Sequence, residues 1–367
     1  MAGHDTSHRD APDAAGSGAS HLSSQAPAEP LIRTEDLTKH FRLGGMFAKR
    51  VLHAVDDFNL TINEREIVAL VGESGSGKST VARLLARIYP TTRGDIYYRN
   101  RSLHGLRRRK DLLWYRGEVA IVFQDPFSAF NPVHRVSHGV LRNLALHRPE
   151  LNAAQRRQEA ARVFESVGLS SKMLRRFPYE MSGGERQRVG FAQALAVRPK
   201  LILADEPVSM LDVSIRAGVL NMMSALRDAE GVSILYITHD LASARYLADR
   251  VIVMYAGHQV ESGPMGTVLS QPKHPYTQLL LAAAADHEQD DAISGDTGEP
   301  PRVINPTEGC RFRWRCPLAI ELCSQVTPRP MPIGEAQVAC HVVAAGDGSH
   351  ETRPADAAAV THASRGQ

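Results

Sequence analysis

At 367 residues, 43% hydrophobic and 23% charged, the chain has the balance of a globular protein with one large domain plus an appendage, or two domains. A net charge of +3 is too small to argue for nucleic acid as a partner. The longest apolar run, residues 279–285, is far too short to span a bilayer, and the N-terminus lacks the charged-then-apolar order of a signal peptide, so a cytoplasmic protein is expected.

Residues 1–29 hold almost no large apolar side chains and are expected to be a disordered tail, with His4, His8 and His21 scattered without ligand spacing. Residues 31–60 alternate with period two around Gly44 and Gly45, which predicts antiparallel strands. Phe41 in this stretch is either an exposed aromatic that stacks on a purine or a packed strand residue.

The run Glu66-Ile-Val-Ala-Leu-Val71 reads as a buried strand, and residues 80–88 have helical periodicity. Between them stands Gly72-Glu73-Ser74-Gly75-Ser76-Gly77-Lys78-Ser79-Thr80, which fits G-x-x-x-x-G-K-[ST]. Gly75 and Gly77 let backbone N–H groups turn inward around a polyphosphate at a helix N-terminus. Lys78 reaches the β- and γ-phosphates, and the Ser79 hydroxyl ligates Mg²⁺. Strand, loop and helix in that order are the context this motif requires.

Residues 94–101 read as a further strand, and the basic stretch 107–116 as a solvated helix without assigned function. Residues 119–123 form a buried strand ending in Gln124, placed to reach a cleft. Residues 136–177 are helix-rich and read as a helical insertion closed by Pro178. Ser182-Gly183-Gly184-Glu185 opens the next helix and offers a second anion site. The strand over residues 201–204 ends in Asp205 and Glu206. Asp205 can hold Mg²⁺ through its water shell, and Glu206 can polarise an attacking water. A turn at Ser209-Met210-Leu211-Asp212 precedes a helix over residues 213–229, and the strand 232–237 ends at His239, which can contact a γ-phosphate. Residues 251–255 and 258–261 form a hairpin around Gly257.

All four cysteines, Cys310, Cys316, Cys323 and Cys340, lie within 31 residues, spaced C-x5-C-x6-C-x16-C. In a cytosolic chain they are metal ligands or inert thiols rather than disulfides. Soft thiolates select zinc or an iron–sulfur cluster. The spacing matches neither a tight C-x2-C zinc knuckle nor a ferredoxin run. Beyond His341 the composition returns to that of a disordered tail.

The order of these motifs resembles the ATP-binding subunits of ABC transporters over about residues 31–285. The resemblance implies an α/β nucleotide-binding domain: a parallel-sheet core carrying the phosphate loop, an antiparallel β subdomain and a helical insertion at about 125–182. By the same resemblance Phe41 stacks the adenine, Gln124 is a lid glutamine sensing Mg²⁺ and the membrane subunit, and Ser182 to Glu185 are the signature turn. Glu206 is then the catalytic base, His239 the switch histidine, and Asp212 the end of the Ser209–Asp212 turn in the family's motif order. Met181, Glu185 and Met210 depart from the commoner residues, while the Ser182 hydroxyl and the Gly183 and Gly184 amides are intact.

Gln124-Asp-Pro-Phe-Ser-Ala-Phe-Asn-Pro132, Lys273-His-Pro-Tyr-Thr-Gln278 and Gly309-Cys-Arg-Phe-Arg-Trp-Arg-Cys-Pro317 resemble the oligopeptide/dipeptide permease branch, which also includes nickel and some oligosaccharide importers. The expected layout is an ATPase domain over 30–285, a Cys-containing extension over 286–341 and a tail over 342–367. The resemblance implies an ATPase that energises an importer of peptides or similar small solutes from the cytoplasmic face of the membrane. It implies head-to-tail pairing with a second ATPase subunit, a heterodimer by preference, alongside transmembrane permeases and a solute-binding protein. Some similar ATPases carry a [4Fe–4S] cluster in this tail, so a cluster, a zinc ion and unmetallated thiols all stay open. The competing class, a soluble ABC ATPase acting on nucleic acid or ribosomes, would show two cassettes or a long coiled coil.

Overall fold

The computed structural model describes residues 29–44, 49–125, 130–286 and 303–346. The expected N-terminal tail up to residue 28, Gly45, residues 126–129 and the tail beyond 346 lie outside the described residues.

Strands β1 (Ile32–Leu43) and β2 (Arg50–Phe58) pair antiparallel, and β3 (Thr61–Ile62) adds to β1. After β4 (Ile67–Val71) the chain returns through helix α1 (Lys78–Leu85) to β5 (Arg93–Tyr98) and β6 (Arg101–Ser102). The first sheet thus runs β2-β1-β5-β6, the antiparallel β subdomain expected from the alternation.

Helix α2 (Arg109–Glu118) leads into β7 (Val119–Val122). Helices α3 (Ser137–His147) and α4 (Ala153–Ser166) form the insertion. Asn152 opens α4 with a capping box, its side chain accepting from the Ala154 and Gln155 amides while Gln155 reciprocates. Helix α5 (Gly183–Leu195), β8 (Leu201–Asp205), α6 (Val213–Glu230), β9 (Ser233–Thr238), α7 (Leu241–Leu247), β10 (Arg250–Tyr255) and β11 (His258–Pro264) follow. Then come α8 (Met265–Ser270), α9 (Pro275–Asp286), α10 (Leu322–Gln325), β12 (Met331–Ile333), β13 (Ala336–Val338) and α11 (His341–Gly346).

The second sheet runs β12-β13-β11-β10-β4-β9-β8-β7, parallel from β10 to β7. Strands β4, β8 and β9 are buried at every position, as parallel strands covered on both faces must be. Alternate side chains divide between two cores. Ile67, Ala69 and Val71 face the insertion helices with Ile234 and Tyr236, while Val68 and Leu70 face α1 and the antiparallel subdomain with Leu235 and Ile237.

The Cys-containing extension is not a separate unit hung on this sheet. Its β13 pairs with β11 through Val338 and Gln337, and residues near Ile304 bridge to Leu52 of β2, so it joins both sheets. No described helix is long and apolar enough to cross a membrane.

Candidate functional site

Four of the parallel strands stand side by side, and each delivers a chemically useful residue at its carboxyl end. Strand β4 leads into the phosphate loop, β7 into Gln124, β8 ends in Asp205 before Glu206, and β9 ends before His239. Adjacency of the strands therefore gathers residues that are far apart in sequence.

The loop demands glycine at three points. Gly72, Gly75 and Gly77 have φ of 152°, 78° and 106°. A Cβ on Gly72 would lie 2.1 Å from the Met254 carbonyl oxygen, and one on Gly77 would lie 2.2 Å from that of Ala54. Lys78 Nζ curls back to donate to the Gly72 and Glu73 carbonyls at 2.6 and 2.8 Å. Burial lowers its pKa, opposed by the charges of Glu206, Asp205 and Glu73. The Ser76 hydroxyl is fully buried without a hydrogen-bond partner. A buried donor left open inside a cradle of amides fits an anion with several oxygens.

Ser79 donates its hydroxyl to Asp205 Oδ1 at 2.8 Å, so the two oxygens expected to hold Mg²⁺ already face each other. Burial raises the pKa of Asp205; a cation there would favour its charged form. Gln124 Nε2 donates to Glu206 Oε2 at 2.9 Å, and His239 Nδ1 lies 3.5 Å from the same oxygen. The bond to His239 lowers the Glu206 pKa and raises that of His239. Glu206 sits at φ 47°, a left-handed conformation costing a non-glycine residue about 1–3 kcal/mol, and its N–H is held by the Ile237 carbonyl at 2.9 Å. Strain at the one carboxylate shared by Gln124 and His239 is a signal that composition could not show.

Phe41 is half-buried, edge-on to Tyr89 with ring centroids 5.3 Å apart, and Lys39 Nζ lies 4.9 Å from its centroid. Partial exposure leaves some of the ring available to a stacked partner. Ser182 caps α5 with a capping box, its hydroxyl accepting from the Glu185 N–H at 3.2 Å while Glu185 accepts from the Ser182 N–H at 2.7 Å. Gly184 is buried against Ile215 at the start of α6, and a Cβ there would lie 2.4 Å from Ile215 Cγ2. Asp212, exposed, stands at the N-terminal end of α6. Among the described residues no hydrogen bond or ion pair joins the 182–185 turn to the phosphate loop of the same chain.

The four thiols are unpaired. Burial, with smaller contributions from the other three cysteines, pushes Cys310 up to about 11, and burial also raises Cys316. Zinc bound tetrahedrally at about 2.3 Å needs sulfurs within about 4 Å of one another. Among the described residues only His40, His53 and Asp56 bring three ligand atoms within 4.8 Å, so the thiols do not form a ready single-ion site. The His40–His53–Asp56 group is itself occupied, because Arg311 pairs with the Asp56 carboxylate.

Two contacts escaped the reading of the sequence. Tyr276 and Arg315 both reach Glu73 of the phosphate loop. Each lies in a stretch flagged by its likeness to the peptide permeases, but nothing in the sequence showed where it pointed.

The sequence profile of the ABC transporter family matches residues 55–209, and that of the oligopeptide/dipeptide transporter C-terminal region matches residues 260–323. The chain is 41% identical over 331 residues to the probable peptide ABC transporter ATP-binding protein y4tS of Sinorhizobium fredii, covering 88% of this chain and 93% of that protein. It is 39% identical over 321 residues to the dipeptide transport ATP-binding protein DppF of Escherichia coli, covering 86% and 95%. Among solved structures, the dimeric ATP-binding cassette MJ0796 bound to ADP and Pi superposes with a TM-score of 0.58 at 27% identity, covering 64% of this chain and 98% of that one.

Proposed function

Because the chain belongs to the ATP-binding subunits of ABC transporters, in their oligopeptide/dipeptide branch, we propose that it hydrolyses ATP at the cytoplasmic face of the membrane to energise an importer of peptides or similar small solutes. The observation that carries this reading is the convergence of Lys78, Ser79, Gln124, Asp205, Glu206 and His239 at the carboxyl ends of neighbouring parallel strands.

The residues divide the work. The loop amides, Lys78 and the Ser76 hydroxyl bind and orient the triphosphate, and Phe41 receives the adenine. Ser79 and Asp205, with Gln124, would hold Mg²⁺, which when bound would supply positive charge against the triphosphate. Glu206 accepts the proton of the attacking water, while His239 and Gln124 fix the position of its carboxylate.

Among the described residues the 182–185 turn makes no bond to its own phosphate loop, and the solved cassette the chain resembles is dimeric. Both support a head-to-tail pair in which each ATP lies between one loop and the other subunit's signature turn. The likeness to peptide permeases supports a homologous second ATPase as the partner. Closure on ATP then moves the region of Gln124 against a transmembrane subunit, with a solute-binding protein delivering the cargo.

Affinity purification of the Glu206→Gln chain with Mg-ATP from detergent-solubilised membranes tests this. Recovery of a second ATPase and membrane subunits is expected. A self-paired chain removes the heterodimer, and recovery of nucleic acid or ribosomes without membrane subunits removes the transport reading.

The four unpaired cysteines, Cys310, Cys316, Cys323 and Cys340, are donors of the type a soft metal takes, a [4Fe–4S] cluster or zinc. Anaerobic purification followed by iron, sulfide and zinc assays tests this; colourless protein lacking all three means unmetallated thiols.

A further inference from the structure

Two of the three stretches that mark the permease branch, residues 273–278 and 309–317, meet on one residue of the phosphate loop. The Glu73 N–H donates to the Tyr276 hydroxyl at 3.0 Å. Its carboxylate takes Arg315 Nη1 on both oxygens, at 3.1 and 2.9 Å. Its carbonyl accepts from Lys78. Every polar group of Glu73 is engaged, two of the three by residues outside the loop.

Both outside residues are themselves held. Tyr276 is fully buried at the first turn of α9, and its N–H donates to His274 Nδ1 at 3.0 Å. The preceding backbone is fixed by the buried Glu261 carboxylate, which accepts from the Lys273 and His274 amides at 2.9 Å each. Phe312, 2% exposed, packs its ring 5.4 Å from that of Tyr276 and 5.2 Å from that of Tyr255. Cys310 and Cys316 bracket Phe312 and Arg315, so the thiol segment is the base from which the guanidinium reaches. The side chains of Arg315 and Glu73 are only 18% and 22% exposed, which shields the pair from solvent screening.

We infer that Arg315 and Tyr276 are positioning residues for ATP binding: the C-terminal extension grips the phosphate loop through Glu73 and holds its amides in the shape that receives a triphosphate. Two physical effects follow, both resting on the ATP-binding reading of the loop. The grip removes ordering that the ligand would otherwise have to impose. Arg315 also neutralises a carboxylate that would stand uncompensated near the incoming phosphates. Neither effect depends on the transition state, so affinity carries the signature and the chemical step does not.

The test uses the full chain, with Mg-ATP binding followed by calorimetry and saturated turnover measured beside its membrane partners. Losing a shielded charge-assisted bond, Arg315→Met is expected to raise Kd about tenfold with kcat within about twofold. Arg315→Lys, which keeps the charge but not the planar guanidinium or its reach, raises it about threefold, as does Tyr276→Phe. In a Glu73→Gln background, Arg315→Met should then change Kd by less than about twofold, because its partner is gone. Unchanged affinity in Arg315→Met, or the same tenfold loss in the Glu73→Gln background, overturns the inference. If Arg315→Met does not fold, as thermal melting would show, Arg315→Lys and Tyr276→Phe decide. A wild-type chain that fails to bind Mg-ATP instead overturns the underlying reading of the loop.

Discussion

Glu206→Gln isolates the chemical step. The amide replaces the carboxylate at nearly the same volume and leaves the left-handed backbone unchanged. The lost attraction involves His239, whose side chain is 57% exposed, so screening limits the stability change to under about 1 kcal/mol. A general base contributes about 10²–10⁴-fold, or about 3–5 kcal/mol in the barrier. The catalytic loss therefore exceeds the structural loss several-fold, and the two separate cleanly. Steady-state phosphate release with the membrane partners should fall at least a hundredfold, by that same estimate, while Kd for Mg-ATP stays within about threefold. Turnover within about tenfold of wild type, with ATP still bound, would refute Glu206 as the base.

Lys78→Ala should act through binding, raising Kd for Mg-ATP by about a hundredfold, as calorimetry will report, because the ammonium, bonded to the Gly72 carbonyl, is the loop's one cationic side chain. Gly184→Ala drives a Cβ into Ile215 and should cost about 1–3 kcal/mol in the thermal melt, with turnover falling; Ile215→Ala in the same chain restores both, and no restoration would contradict the packing account. The Glu206–His239 pair gives a pH signature. The lowered Glu206 contributes stability present above its unfolded pKa, about 4.3, and lost as pH falls through its folded value. The raised His239 contributes stability present below its unfolded pKa, about 6.5, and lost as pH rises through its folded value. The stability difference between wild type and His239→Gln should therefore be greatest between about pH 4.3 and 6.5 and shrink on both sides, as denaturant titrations across pH can check.

The catalytic strands were legible because a fully covered parallel strand is a short apolar run, and the residue after it marks the site. That logic singles out Gln124, Asp205, Glu206 and His239 from the sequence alone. It extended to the cap at Ser182, whose partner Glu185 stands three residues on. The left-handed Glu206 was not legible, since a strand end does not state the dihedral angle at which it turns. Strands β12 and β13 were missed because three residues carry too little alternation to register, and their pairing with β11 crosses a long separation in sequence. The bond from Arg315 to Glu73 was missed for the same reason: a lone arginine in a basic segment declares no partner.

The pairing of the extension with both sheets has a consequence for how far the chain can be shortened. Cut after Asp286, the chain would bare the edge of β11 at Glu261 and Ser262 and that of β2 at Val51 to His53, now hydrogen-bonded to the returning segment. Open strand edges invite pairing between molecules. A trimmed catalytic core is therefore expected to clump or swap strands: β12 and β13, two of the eight strands of their sheet, act with the segment near Ile304 as the seal over those edges.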